Sequence, residues 1–272
     1  METDRVPQSA AEFDRLLMQS PDSSMVWMAY MAYHLETAEI DKARGVAERA
    51  LSTISFREER EKLNMWVAYL NLENLYGTTE QLKAVIERAL TYNDHKKVYQ
   101  QLAKIYVKSE KIQAAEEVHN TLLKKYKAEA DVWVDFGLFY YNTQQAESAR
   151  SLLQRSFKSL DKKIHTDVIL KFAQMEFKYG DVEKGKTMME GLLSSFPKRT
   201  DLWAIYVDLL VKMQDIDCAR QILDRAIHLE LNIKKMKFMF KKYLSFEEKH
   251  GNEQTVKAVK EKAMEFIESK TS

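Results

Sequence analysis

The sequence predicts an all-α protein: a right-handed superhelical solenoid of about seven antiparallel helix pairs, opened by an N-terminal capping helix. Three observations predict it. The 272 residues hold only 7 Gly and 3 Pro, so few positions break a helix or demand a tight turn. Near-copies of one nonapeptide recur, ARGVAERAL at 43–51, LKAVIERAL at 82–90 and ARQILDRAI at 219–227. All four tryptophans, Trp27, Trp66, Trp133 and Trp203, stand 21 residues ahead of the same place in such a stretch, at Glu48, Glu87, Gln154 and Asp224. A unit of two helices repeating about every 34 residues is the signature of stacked helical repeats.

The N-terminal segment, 1–26, comes first. Ser9-Ala-Ala-Glu12 has the spacing of a capping box, which predicts a helix over 10–19 that covers the end of the stack, with Pro21 ending it. The solenoid then fills 27–272 as one continuous domain. The same 21-residue ruler finds weaker copies at Tyr99, Ile169 and Phe240, so the repeats start near 27, 66, 99, 133, 169, 203 and 240. The first interval, 39 residues, is the longest, and the charged run FREEREK at 56–62 accounts for it.

Counting each start as position 1 gives every repeat the same pattern. Position 4 holds Tyr30, Tyr69, Leu102, Phe136, Phe172, Tyr206 and Tyr243. Position 8 is Glu in three repeats: Glu73, Glu176 and Glu247. Positions 1, 4 and 8 fall on one face of a first helix. Position 17 is small in five repeats and position 20 is apolar in all seven, the packing face of a second helix. Between the helices, Gly77, Gly180 and Gly251 all occupy position 12. They are expected to close the first helix in the left-handed conformation, with Thr78, Asp181 and Asn252 starting the second. The recurrence of the rings at one core position assigns them to packing rather than to base stacking.

Composition excludes several classes. The single cysteine, Cys218, rules out a disulfide framework and a cysteine-based zinc site, and favours a reducing compartment. No stretch has the length and apolarity of a membrane helix, and METDRVPQSAAEF lacks the basic-then-apolar order of a secretory signal, so a cytosolic or nuclear location is expected. Net charge is +1, giving no global attraction for nucleic acid. The ends differ: residues 1–64 carry 8 Lys/Arg against 12 Asp/Glu, and residues 231–272 carry 10 against 6.

Residues 180–187, GDVEKGKT, satisfy the phosphate-loop pattern. A phosphate loop follows a buried strand, whereas helical periodicity precedes this one, and Asp181 and Glu183 would repel a triphosphate. The six histidines form no i, i+4 pair and no HExxH. No catalytic, metal or cofactor residue is therefore expected. One run stays open. Lys234, Lys235, Lys237, Lys241 and Lys242 interleave with Met236, Phe238, Met239 and Phe240. That is either a lysine-rich exposed helix face or a contact strip for RNA or an acidic partner. KKYK at 124–127 is a smaller instance.

An aromatic at position 1, an aromatic at position 4, Glu at position 8 and then A-R-x-x-x-E-R-A resembles the half-a-tetratricopeptide (HAT) repeat. The defining residues here are Trp27, Tyr30, Trp66, Tyr69, Glu73, Trp133, Phe136, Trp203, Tyr206, Phe240, Tyr243 and Glu247. More narrowly, AEFDRLLMQSPDSSMVWMAYMAYHL, KFAQMEFKYGD, PKRTDLW and KKMKFMFKKYLSFEEKHG resemble the C-terminal module of the ribosomal RNA-processing protein five family, known in animals as programmed cell death protein eleven. That resemblance implies a non-catalytic protein–protein interaction scaffold in pre-rRNA processing and ribosomal subunit assembly. It further implies a nuclear, nucleolar location, protein partners in a pre-ribosomal assembly, possible pre-rRNA contact, no membrane and no small-molecule substrate. A direct RNA-binding module and a general tetratricopeptide-type peptide adaptor are the alternatives.

Overall fold

The computed structural model describes residues 7–271, and among these it contains fifteen α-helices and no strand. By its contacts the chain divides into two compact units, one ending at Lys127 and one beginning at Ala128. The N-terminal unit holds α1 (Ala10–Gln19) and three helix pairs: α2 (Ser24–Glu36) with α3 (Ile40–Thr53), α4 (Glu59–Tyr76) with α5 (Thr79–Tyr92), and α6 (His95–Lys108) with α7 (Ile112–Tyr126). The C-terminal unit holds four pairs. These are α8 (Ala130–Asn142) with α9 (Ala146–Ser156), α10 (Lys162–Tyr179) with α11 (Val182–Ser195), α12 (Thr200–Lys212) with α13 (Ile216–Ile227), and α14 (Ile233–His250) with α15 (Glu253–Thr271). Each pair is one repeat, its first helix A and its second helix B.

No helix pair can bury its apolar stripe alone, so each leans on its neighbours. In the N-terminal unit α2 packs on α4 and α4 on α6; in the C-terminal unit α8 packs on α10 and α12 on α14. Position 4 is buried in all seven repeats, and position 20 in all but one, Met188 being half-buried. The small residues Ala43, Ala115, Ala149 and Ala219 at position 17 have no exposed surface. All four tryptophans are buried. Two indole N–H groups donate to proline carbonyls six residues earlier, Trp27 to Pro21 O (2.8 Å) and Trp203 to Pro197 O (3.0 Å), which satisfies the polar end of each ring. The weaker copies behave differently. Tyr99, Ile169 and Phe240 are half-buried, and the fully buried residue is the one before each: Val98, Val168 and Met239.

Helix α1 forms where the sequence puts it. Ser9 caps it by accepting from Glu12 N–H, while the Glu12 carboxylate reaches back to Gln8 N–H (2.7 Å) rather than to Ser9. Phe13 stacks on Tyr30 at 4.9 Å, so α1 covers the first repeat.

The expectation for position 12 is overturned. None of the described glycines has a positive φ: Gly77 lies at −90°, Gly180 at −118° and Gly251 at −105°. The left-handed residues are Ala38, Glu110, Gln144 and Gln214, the position-12 residues of the other four repeats. There each turn makes the paired bonds of a Schellman motif, such as Asp215 N–H to Leu210 O and Gln214 N–H to Val211 O (both 3.0 Å). Glycine is needed elsewhere for space. A Cβ on Gly77, Gly180 or Gly251 would sit 2.1 Å from Oε2 of Glu73, Glu176 or Glu247 respectively, the position-8 glutamate one turn earlier.

Two kinds of repeat follow. Repeats two, five and seven have an 18-residue helix A, Glu at position 8 and Gly at position 12. Repeats one, three, four and six have a helix A of 13 or 14 residues and a non-glycine left-handed turn. The latter part of FREEREK becomes the extra first turn of α4.

Candidate functional site

Each position-8 glutamate is buried, and each meets the position-18 arginine of the preceding repeat. Arg44 holds Glu73 through Nε and Nη2 (2.8 and 3.1 Å), Arg150 holds Glu176 (2.6 and 2.9 Å), and Arg220 holds Glu247 (2.7 and 3.3 Å). Each Nη1 also donates to an acid one turn back: Asp41, Glu147 or Asp217. Burial by itself would push the Glu176 carboxyl up, but the Arg150 guanidinium and the Asp181 N–H (2.8 Å) hold it below its ordinary value. Glu73 and Glu247, predicted as repeat-defining, thus join one repeat to the last.

A second set of ion pairs runs along the B helices and explains the E-R of the nonapeptide. Arg88 is bidentate to Glu48 of the preceding repeat (2.7 and 2.8 Å) and lies over its own repeat's Trp66. Arg225 does the same with Glu190 (2.9 and 3.0 Å) and Trp203. Lys262 pairs with Asp224 (2.5 Å) in the last repeat. Arg49, in the first of the described repeats, pairs with Asp14 of α1 and covers Trp27. These residues bind the molecule to itself.

The phosphate-loop pattern folds as the turn between α10 and α11. Asp181 caps α11 by accepting from Glu183 and Lys184 N–H, and Lys186 Nζ is held by Glu183 and Asp215 (both 2.9 Å). His34 bonds Glu39 (2.8 Å), and burial pulls the His119 imidazole down to about 4. The Cys218 thiol is pushed up, chiefly by burial. Among the described residues no group of three His, Cys, Asp or Glu is placed to hold a metal, and no helix is long and apolar enough to cross a membrane.

The lysine run splits in two on α14. Lys235 donates to Lys198 O (2.7 Å) and Lys242 pairs with Asp208, so both are committed to the unit's own surface. Lys234, Lys237 and Lys241 are exposed on one face, with Phe238 among them; Met236 and Met239 are core, and Phe240 packs on Phe266. In KKYK, Lys125 lies over the Tyr99 ring.

Sequence reasoning missed a groove in the N-terminal unit. It crosses the A helices of the first three repeats, about 470 Å³ in volume, and is floored by Met28, Ala32 and Leu35 of α2, Val67, Ala68, Leu72 and Leu75 of α4, and Ile105 of α6. Asn71 projects from the middle of the α4 stripe, and Lys108 stands at one edge. Its signal was present: α2 is apolar on every side, more than one core face requires.

A family model described as Suppressor of forked protein (Suf) matches residues 75–272. The chain belongs to the Suppressor of forked family. Within curated proteins it is 52% identical to the mouse Protein RRP5 homolog over 272 residues, all of this chain and 15% of that protein. It is 46% identical to rRNA biogenesis protein rrp5 of Schizosaccharomyces pombe over 97% of this chain and 16% of that protein. To rRNA biogenesis protein RRP5 of Arabidopsis thaliana it is 43% identical, over 97% of the chain and 14% of the relative. The chain therefore spans only about one-seventh of the length of these relatives, and HAT-type repeats are the part shared.

Proposed function

We propose that this chain is a non-catalytic protein–protein interaction scaffold in pre-rRNA processing and ribosomal subunit assembly, acting in the nucleolus. The observation that carries the reading is the open apolar groove across three successive A helices. Leaving Leu75 and Tyr76 more than half exposed costs solubility unless a partner covers them. The names of two relatives support the process: both the Schizosaccharomyces pombe and the Arabidopsis thaliana proteins are called rRNA biogenesis proteins. The test is affinity capture from nuclear extract, with and without ribonuclease, using the chain and its Leu75→Glu variant. A ribonuclease-resistant pre-ribosomal protein lost from the variant, whose helicity is unchanged, is the expected result. Loss of every partner on ribonuclease treatment would overturn it.

The three exposed lysines of α14 favour a second reading, direct RNA contact through phosphate. Changing Lys234, Lys237 and Lys241 to Glu is then expected to weaken RNA binding and flatten its salt dependence by roughly one counterion per lysine. Unchanged affinity would leave these lysines as a solvated face. Lys235 is left out of the set because its ammonium already serves Lys198 O.

A further inference from the structure

We infer that the cleft between the start of α4 and the end of α5 is a base-stacking site for single-stranded nucleic acid. The two most exposed aromatic rings among the described residues, Phe56 (77%) and Tyr92 (73%), line this one cleft of about 890 Å³. The next most exposed ring, Tyr76, stands at 53%. Tyr92 is not loose. It stacks on buried Trp66, with centroids 6.0 Å apart and planes within 11°, and Arg88 lies over the same indole at 5.3 Å. The offset stack anchors Tyr92 at one edge and leaves most of its ring surface to solvent. Opposite, Arg57 lies over the Phe56 ring at 5.7 Å.

A planar base extends such a stack whatever its identity, because every base has a π-face. A duplex hides those faces inside itself, so the site selects single strands. Arg57, Arg60, Lys62 and Lys97 line the cleft and supply phosphate contacts. Glu58, Glu59 and Asp94 line it too, and Asp94 is spent capping α6 through Lys97 N–H (2.9 Å). The acids offset most of the basic charge. Binding is carried by the rings and depends less on salt than binding by the α14 lysines. The inference is independent of the scaffold reading, whose groove lies on other residues.

Fluorescence anisotropy with an unstructured twelve-nucleotide RNA and its duplex tests this on the whole chain. The single strand is expected to bind more tightly than the duplex. Phe56→Ala and Tyr92→Ala are each expected to weaken it about tenfold, the scale of one stacked base. Tyr92→Phe keeps the stack and is expected to bind as the parent does. If Tyr92→Ala lowers helicity, Phe56→Ala decides, since that ring is 77% exposed. Equal affinity for duplex and single strand, unchanged affinity in Phe56→Ala, or occupation of the cleft by a protein segment with no RNA affinity would each overturn the inference.

Discussion

Repeats two, five and seven close their first helix with glycine at a negative φ and do not use the left-handed conformation it allows. Repeats one, three, four and six need that conformation and lack glycine. The contrast teaches that a residue type at a turn records what its neighbours require, not only what its backbone does. At Gly180 the requirement is room: the Glu176 carboxylate, pinned by Arg150, fills the volume a methyl group would take. At Gln214 the requirement is a pair of backbone bonds, and the chain tolerates a left-handed φ of 62° to make them.

The largest expected effect breaks the first arrangement. Arg150→Ala leaves Glu176 buried without its partner, and urea unfolding should show a loss of about 3–5 kcal/mol. Lys186→Ala, at the equivalent position before a short repeat, removes a partly exposed pair and should cost under about 1 kcal/mol. Similar losses at both would mean that the two repeat types do not differ in how they are joined.

Next comes Gly180→Ala, expected to destabilise by about 1–3 kcal/mol although φ there is negative. The cost should shrink in the Glu176→Ala background, because the carboxylate is the main obstacle. A double-mutant cycle measures the coupling, and additive effects would rule out the steric account.

Acid separates the types further. The folded Glu176 carboxyl lies below its ordinary value of 4.5, so its contribution is complete above that pH and drains as pH falls through the lower folded value. Glu176→Gln should remove this component from the pH dependence of stability. The smallest effect has the opposite sign. Gln214→Gly should stabilise by about 1 kcal/mol, the cost of holding a side chain in left-handed geometry. A loss on thermal melting would show that the Gln214 side chain contributes more than its strain.

Much of this architecture was legible. Fixed spacing from Trp27, Trp66, Trp133 and Trp203 gave every helix pair, because a helix face repeats through the chain's own geometry. The handedness of the turns was not legible. Periodicity locates a turn, while Gly77 and Ala38 differ through a contact made from outside it. The partners of Glu73, Glu176 and Glu247 lie 26–29 residues away, beyond any local pattern. The split of the α14 lysines depends on Lys198 and Asp208 of other helices in the same way. The groove was hidden because Leu75, which is exposed, looks like further core in a linear pattern. Yet the intervals carried the repeat types: 39, 36 and 37 residues lead into the long repeats, and 33, 34 and 34 into the short.

The arginine–glutamate joints have a bearing on how such a chain is copied and cut. They tie repeat one to two, four to five, and six to seven, so six of the seven repeats stand in couplets of about seventy residues, a short member handing its arginine to a long one. Repeat three is the unpaired line. A genetic duplication or an engineered splice that moves a whole couplet carries both halves of its lock with it. One that falls inside a couplet strands a buried carboxylate on one side of the seam. For the buried carboxylate joints the module is therefore the couplet rather than the repeat, while the more exposed Arg225–Glu190 and Lys186–Asp215 pairs cross between couplets.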